Sequence, residues 1–228
     1  MLVLSFFANI YRAIIKARPL IGYYEFWVFL TYLSVVSALF SIYFAFAGNI
    51  LIAIICVMFS GICDTFDGRV ARLKKRNERE KNYGIQIDAM ADLISFGVAP
   101  AVMGYAIWQY YGTFSVLSAI VAAAYVLATL IRLAYFNVTE AELQNRKERR
   151  NYFEGMPTTT IALFIPLVFS VCNIFGAPFY LAYKVLLICA TILFVVRIKF
   201  PKPRGKMMLI LWIIGTPVTI SLLVIGIV

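Results

Sequence analysis

The four aspartates of this chain lie close together and are spaced at helical intervals. They are Asp64, Asp67, Asp88 and Asp92. Aspartate carboxylates bind hard divalent cations, and a positioned carboxylate can take a proton from a hydroxyl group. Ionised carboxylates are costly to hold near lipid, yet these belong to a chain that is 63% hydrophobic. The cluster therefore indicates a cation site with chemistry attached.

The spacing predicts that the four carboxylates share one pocket. Asp64 and Asp67 are i, i+3 neighbours and Asp88 and Asp92 are i, i+4 neighbours, so each pair projects from one helix face. Helical rise places both pairs at a similar depth, near one edge of a membrane. Four facing carboxylates repel, so protons or cations must neutralise them. Oxygen ligands select Mg²⁺, Mn²⁺ or Ca²⁺, and the chain has no histidine that could contribute to a softer site.

Two glycines and an arginine accompany these acids. Gly68 follows the first pair directly, Gly84 precedes the second pair, and Arg72 lies just past the first pair. Glycine allows close approach of a ligand, and arginine can bind a phosphate through two hydrogen bonds. The ordinary alternatives are helix packing for the glycines, salt bridges at the membrane interface for the aspartates, and a residue that only sets membrane topology for Arg72.

The elements that must hold these residues are membrane helices. A mean hydropathy of +0.88 and only 14% charged residues exclude an ordinary soluble domain. The apolar stretches are continuous rather than alternating, which favours helices over a closed β-barrel. Seven of them are long enough, or nearly so, to cross a bilayer: 23–47, 49–66, 84–109, 113–136, 158–175, 178–197 and 207–228.

The basic residues predict one orientation of these helices. They cluster before the first stretch and in every second connection, whereas the turns near Gly48, Gly112 and Gly176 carry neither Lys nor Arg. Since basic short loops stay in the cytoplasm, we expect a multi-pass protein of the cell membrane with its N-terminus and its aspartate cluster on the cytoplasmic side. The formal charge of +10 then reflects topology and anionic lipid headgroups, and we expect no nucleic-acid partner.

The chain is predicted to contain one membrane domain, residues 20–228, preceded by an interfacial helix over residues 1–19. In that first segment Phe6, Ile10 and Ile14 recur at helical spacing before Pro19. An amphipathic helix of this kind lies in the plane of the membrane surface.

The acids and their neighbours resemble the signature of the CDP-alcohol phosphotransferases, integral membrane enzymes of phospholipid synthesis. Eight positions match: Asp64-x-x-Asp67-Gly68-x-x-Ala71-Arg72, followed by Gly84-x-x-x-Asp88-x-x-x-Asp92. Three further segments resemble bacterial and archaeal phosphatidylserine synthases: residues 88–100, Arg132-Leu-Ala-Tyr-Phe-Asn137 and Gly155-Met-Pro-Thr158.

The resemblance implies an all-α bundle of six core transmembrane helices, with the seventh stretch as a peripheral addition, and a homodimer. It implies that two divalent ions, Mg²⁺ or Mn²⁺ with Ca²⁺ as a further candidate, clamp the pyrophosphate of CDP-diacylglycerol while L-serine displaces CMP. In this resemblance Asp64, Asp67 and Asp88 are metal ligands, and Asp92 is both a ligand and the base. The nucleotide-binding surface would consist of Gly68, Ala71, Arg72 and Gly84.

One departure from the signature concerns spacing. The segment between Arg72 and Gly84 is a few residues longer than is usual in the family. We expect the extra residues to lengthen the turn or the helix ends and to leave the pocket intact, because loop length costs little.

Arg132 is a further candidate, because it lies well inside the fourth apolar stretch. A charge within a membrane helix is functional by default, and we expect Arg132 to bind the serine carboxylate or a lipid phosphate. The ordinary alternative is a side chain that extends to the nearby interface.

Other functions fit parts of the pattern. The same chemistry could act on glycerol phosphate or an inositol derivative, since the signature does not specify the alcohol. A divalent-cation transporter also needs carboxylates within the membrane, but would hold them near the midplane. A non-catalytic scaffold leaves the aspartate arrangement unexplained.

Overall fold

The computed structural model describes residues 21–74, 76–145 and 152–201. The interfacial helix predicted for residues 1–19 and the seventh apolar stretch, 207–228, lie outside these ranges. Six long helices follow one another: α1 (Phe26–Phe46), α2 (Ile50–Val70), α3 (Glu78–Tyr110), α4 (Val116–Asn145), α5 (Ile161–Phe175) and α6 (Phe179–Val195). Two 3₁₀ turns, Ala71–Leu73 and Thr158–Thr160, precede α3 and α5.

Within the described ranges, five helices are long and apolar enough to cross a membrane. The sixth, α6, is apolar but has only 17 residues. The prediction of a helical, multi-pass membrane protein is therefore confirmed, while the count of six core helices plus a seventh stays a prediction. A small antiparallel sheet pairs β1 (Tyr152–Glu154) with β2 (Lys199–Pro201), so that Phe153 lies opposite Phe200.

Beyond Val28, helix α1 buries small and hydroxyl side chains and exposes large apolar ones. Its buried positions include Thr31, Ser34, Ala38 and Ser41, which recur every three or four residues. Phe29, by contrast, is 62% exposed. Because lipid is as apolar as the protein interior, small residues at a helix interface allow close packing and polar ones bond across it. This stripe lets α1 pack along α2.

A serine cluster joins the first three helices to one another. Ser34 on α1 lies 2.8 Å from Ser60 on α2 and 3.3 Å from Ser95 on α3, measured between hydroxyl oxygens. All three side chains are buried. Such hydrogen bonds fix the rotation of neighbouring membrane helices, which in turn determines which faces of α2 and α3 meet.

Helix α3 begins earlier than the hydropathy predicts, and Gly84 lies inside it rather than at its start. Asn77 forms a capping box with Glu80: the Glu80 amide donates to Oδ1 of Asn77 at 2.8 Å, and the Asn77 amide donates to Oε2 of Glu80 at 3.0 Å. This cap satisfies two amides that a helix start leaves without partners. Part of the long segment between Arg72 and Gly84 thus forms an extra stretch of helix that begins at Glu78.

The middle of α3 changes its helical register directly after Asp92. Residues Leu93–Val98 form a π-helical segment, a geometry that often occurs at functional sites. Pro100 follows and has no amide to donate to the carbonyl of Phe96. The Tyr125 hydroxyl compensates from α4 by donating to the Phe96 carbonyl at 2.5 Å. The Tyr183 hydroxyl on α6 also bonds to this part of α3, donating to the Pro100 carbonyl at 2.7 Å.

The segment before α5 packs against the end of α6. Gly155 has a positive φ of 78°, and its amide donates to the Ile198 carbonyl at 2.9 Å. The Met156 amide donates to the Leu193 carbonyl at 3.2 Å. A β-carbon at Gly155 would lie 3.1 Å from the Phe194 carbonyl oxygen, so this position requires glycine both for its backbone angle and for its close approach.

Candidate active site

Three of the four aspartates meet between α2 and α3. One carboxylate oxygen from each of Asp64, Asp88 and Asp92 lies within 4.8 Å of the other two. Asp64 and Asp92 are half-buried and Asp88 is exposed. Asp64 lies about 21 Å along α2 from its first residue, given 1.5 Å per residue. The group therefore lies toward the end of α2 that leads into the basic α2–α3 turn.

Asp67 is more buried than the other three aspartates and has a hydrogen-bond partner on a third helix, α1. Its side chain is only 6% exposed, and its Oδ2 accepts a hydrogen bond of 2.9 Å from Thr31 Oγ1 on α1. Asp88 also interacts with it electrostatically. The aspartates thus form a group of three, with Asp67 beside them and hydrogen-bonded to α1, rather than four equivalent ligands.

This donor set fits a hard divalent cation. The three grouped ligands are all carboxylate oxygens at mutual distances that one ion could bridge, and Mg²⁺ and Mn²⁺ prefer such ligands. Positive side chains act on the group from two sides, since Arg132 interacts electrostatically with Asp92 and Arg76 with Asp88. Two arginines could offset only part of the charge of four ionised carboxylates, which leaves the site suited to added cations.

The signature glycines have different surroundings. No atom lies within 4 Å of the position that a β-carbon at Gly68 would occupy, so the backbone there borders open space. At Gly84 the same position is 2.8 Å from Arg76 Nη1 and 3.3 Å from the Trp27 ring. The Arg76 guanidinium stacks on Trp27, with Cζ 5.0 Å from the ring centroid. The absence of a side chain at Gly84 therefore leaves room for Arg76, whereas Gly68 borders unfilled space.

Ala71 and Arg72 both lie in the 3₁₀ turn that follows α2. Ala71 is buried against Trp27 and Val28 of α1. Its small side chain lets the turn pack closely against α1, which positions the α2–α3 connection beside the aspartates.

Arg132 is buried on α4 and faces α6. It is 8% exposed, and its Cζ lies 6.0 Å from the centroid of the Phe194 ring. It interacts electrostatically with Asp92. The backbone of Phe194 in turn contacts Gly155. The segments around Arg132 and Gly155 are distant in sequence but both lie against Phe194 of α6.

Lys74 ties the α2–α3 turn to α1. Its Nζ donates a hydrogen bond to Oε2 of Glu25 and lies 3.5 Å from Oε1 of Glu80. Trp27 Nε1 donates to the same Glu25 oxygen at 3.2 Å. The hydrogen bond to Glu25 is the main reason why the pKa of Lys74 lies above its ordinary value. The turn carrying Arg72 is thereby held against the start of α1.

Two features of this site are not predicted by the aspartate signature. Thr31 lies in the first apolar stretch, outside the aspartate signature, and only its position among the buried residues of α1 marks it. The Asn77–Glu80 capping box was readable from its spacing, but the surrounding charges made the segment look like a loop.

The chain matches the family model described as CDP-alcohol phosphatidyltransferase over residues 28–197. This match includes every described helix except the first two residues of α1. It also includes the aspartate group, Thr31 and Arg132.

Curated relatives share part of the chain. It is 44% identical over 115 residues to the CDP-diacylglycerol–serine O-phosphatidyltransferase of Saccharomyces cerevisiae, covering 49% of this chain and 39% of the yeast protein. It is 33% identical over 134 residues to the protein of the same name from Helicobacter pylori, covering 59% of this chain and 52% of that one. The archaetidylserine synthase of Methanothermobacter thermautotrophicus is 28% identical over 178 residues, which are 77% of this chain and 69% of the archaeal protein. The chain thus aligns with about half or less of the first two relatives.

Proposed function

Because this chain belongs to the CDP-alcohol phosphatidyltransferase family, we propose that it transfers the phosphatidyl group of CDP-diacylglycerol to L-serine, forming phosphatidylserine and CMP. The observation that carries the proposal is the meeting of Asp64, Asp88 and Asp92 within 4.8 Å. The names of the yeast and bacterial relatives support serine as the acceptor and diacylglycerol as the lipid. The archaeal relative's name also specifies serine but a different lipid.

The proposed reaction is a single displacement at phosphorus. The serine hydroxyl oxygen attacks the phosphorus that carries diacylglycerol, and the bond from that phosphorus to the bridging oxygen breaks. CMP leaves with the bridging oxygen, and the hydroxyl proton passes to the Asp92 carboxylate. Positioned proton transfer of this kind typically contributes about 10²–10⁴-fold to a rate. The half-buried setting of Asp92 holds the base at one place relative to the acceptor.

The metal ligands in this proposal are Asp64, Asp67, Asp88 and Asp92. Two divalent ions, Mg²⁺ or Mn²⁺, would neutralise the pyrophosphate and stabilise the attacking and leaving oxygens when bound there. The α2 and α3 helices bring the carboxylate oxygens of Asp64, Asp88 and Asp92 within 4.8 Å of one another, despite their mutual repulsion when ionised. Thr31 and the two nearby arginines limit the cost of that arrangement.

The nucleotide lies against the turn between α2 and α3 in this proposal. Gly68 supports it most directly, because its backbone borders open space beside the acids. Arg72, in the next turn, binds a phosphate of the CDP group. Gly84 and Ala71 contribute by being small, since larger residues would push Arg76, Trp27 or the turn itself into the nucleotide's place.

Serine binds on the opposite side of Asp92, beside Arg132. A buried guanidinium can hold a carboxylate through two parallel hydrogen bonds. The guanidinium of Arg132 lies against the Phe194 ring, and the Phe194 backbone lies against Gly155. These contacts restrict where the guanidinium can lie. Two of the three segments that resemble phosphatidylserine synthases lie against Phe194, which supports this position for the acceptor.

Location and assembly follow from the same proposal. The basic α2–α3 turn marks the cytoplasmic side, so the active site opens to the cytoplasm at the cell membrane and draws both substrates from that side. We further propose a single membrane domain over residues 20–228 and a homodimer, which crosslinking in native membranes would test.

The acceptor alternatives and the transporter are separated by one assay. Purified protein receives CDP-diacylglycerol, Mn²⁺ or Mg²⁺, and one of L-serine, glycerol phosphate or inositol, and CMP release is measured. We expect metal-dependent release with serine and little with the other alcohols. If the folded protein releases no CMP with any alcohol, the proposal that it is an enzyme is contradicted. Mn²⁺ uptake into vesicles would then favour the transporter.

Asp92→Asn supplies the variant for the same assay. It keeps the size of the side chain but cannot accept the serine proton, so CMP release should fall by about 10²-fold or more. Glu78→Gln is the matched control, because Glu78 is an exposed acid at the start of α3. Equal activities of the two variants would argue against Asp92 as the base.

A further inference from the structure

We propose that Thr31 is a positioning residue for Asp67: its hydroxyl holds the carboxylate in the orientation needed to bind a divalent cation. The inference rests on the metal site of the proposed function. It adds a residue from α1, a helix that contributes no residue to the aspartate signature.

The contact is direct and buried. Thr31 Oγ1 donates to Oδ2 of Asp67 at 2.9 Å. Thr31 is 5% exposed and Asp67 is 6% exposed, so water competes little for either group. A hydrogen bond from a neutral hydroxyl to a carboxylate is stronger than one between neutral groups, and it occupies one of the two oxygens of Asp67.

Other threonines in the helices show that this arrangement is not the default. Thr65, Thr129 and Thr191 each donate to the carbonyl four residues earlier in their own helix, at 2.7–2.9 Å. That bond is the local choice for a hydroxyl within a helix. Thr31 instead donates across to a carboxylate on α2. Its hydroxyl is thus used to hold another side chain rather than its own backbone.

The consequence for Asp67 is a fixed direction. With Oδ2 held by the Thr31 hydroxyl at 2.9 Å and both residues buried, the Asp67 side chain is restrained from rotating. Groups that hydrogen-bond metal ligands in this way commonly change metal affinity by about 10–100-fold. Thr31 therefore sets how well Asp67 joins the other three carboxylates around a cation.

Metal binding, measured without substrate, tests the proposal. Purified protein in detergent is titrated with Mn²⁺, and free Mn²⁺ is followed by electron paramagnetic resonance. Thr31→Val removes the hydroxyl but keeps the shape, and should weaken Mn²⁺ binding by about 10-fold or more. Thr31→Ser keeps a hydroxyl and should bind nearly as well as the wild type.

Ser41→Ala is the matched control for losing a buried hydroxyl on α1. Ser41 is fully buried, and its hydroxyl donates to the Ala38 carbonyl of its own helix at 2.7 Å. Its removal should leave Mn²⁺ binding unchanged. If Thr31→Val cannot be purified, Thr31→Ala removes the same hydroxyl with less bulk. It should also weaken Mn²⁺ binding by about 10-fold or more.

Unchanged Mn²⁺ affinity in a folded variant lacking the hydroxyl would overturn the proposal, as would a wild type that binds no Mn²⁺. A wild type that binds Mn²⁺ but releases no CMP would defeat the proposed function alone, because the loss of affinity in Thr31→Val would still be measurable. In an active enzyme, the Thr31→Val defect in CMP release should diminish as Mn²⁺ is raised.

Discussion

The Tyr125 hydroxyl on α4 donates a hydrogen bond of 2.5 Å to the carbonyl oxygen of Phe96 on α3. That carbonyl lies in the π-helical segment directly after Asp92, and Pro100 cannot supply it with the amide that an α-helix would. The register of α3 beyond the aspartates thus depends on a side chain from a neighbouring helix.

Removing this hydroxyl should destabilise the protein. Tyr125→Phe leaves the buried Phe96 carbonyl without its side-chain donor, and we expect a loss of about 1–2 kcal/mol in the free energy of unfolding. Thermal unfolding in detergent measures it. Tyr43→Phe, at a residue that is 64% exposed, should change the midpoint little, and equal effects of the two variants would argue against this account.

Gly68 should tolerate alanine structurally but not functionally. No atom lies within 4 Å of the new β-carbon, and alanine in a helix is favoured over glycine by about 1 kcal/mol. We therefore expect unchanged or higher stability of Gly68→Ala, with the apparent KM for CDP-diacylglycerol raised about 10-fold, equivalent to about 1.4 kcal/mol. Wild-type kinetics would show that the nucleotide does not approach this backbone.

Gly84→Ala should also lower activity, but for a different reason from Gly68→Ala. Its β-carbon would meet the end of the Arg76 side chain at 2.8 Å and the Trp27 ring at 3.3 Å. Arg76 can move away, but its stacking on Trp27 would be disturbed. The variant should lose both thermal stability and activity, in contrast to Gly68→Ala.

Gly155 should be the least replaceable of the loop glycines. Gly155→Ala places a side chain at a positive φ of 78° and 3.1 Å from the Phe194 carbonyl oxygen. Gly112→Ala is the control, because its φ is 63° but no atom lies within 4 Å of the new β-carbon. The left-handed conformation alone costs about 1–2 kcal/mol, so thermal unfolding should show a larger loss for Gly155→Ala than for Gly112→Ala.

Arg132 should affect serine more than the lipid substrate. Arg132→Met removes the charge but keeps a long apolar chain against Phe194, and we expect the apparent KM for serine to rise about 10–100-fold, the equivalent of a lost hydrogen bond to a charged group. The KM for CDP-diacylglycerol should change little. Arg197→Met is the control, since Arg197 stacks on Tyr135 instead; equal shifts in both variants would point to a general charge effect.

Local patterns in the sequence determine much of this protein. Continuous apolar stretches predict membrane helices because a bilayer interior forces the backbone to bond within each segment. The spacing of Asp64, Asp67, Asp88 and Asp92 predicts two same-face pairs, because side-chain direction in a helix follows from residue number. These predictions need no knowledge of which helices are neighbours.

The tertiary structure decided what depends on neighbouring helices. It joined Asp64 to Asp88 and Asp92 while holding Asp67 deeper against Thr31, and it brought Arg132 and Gly155 together through Phe194. Such contacts depend on the rotation of each helix about its axis and on the register change after Asp92. Both arise from packing among buried small residues, serines and tyrosines on different helices, so no single stretch of the sequence contains them.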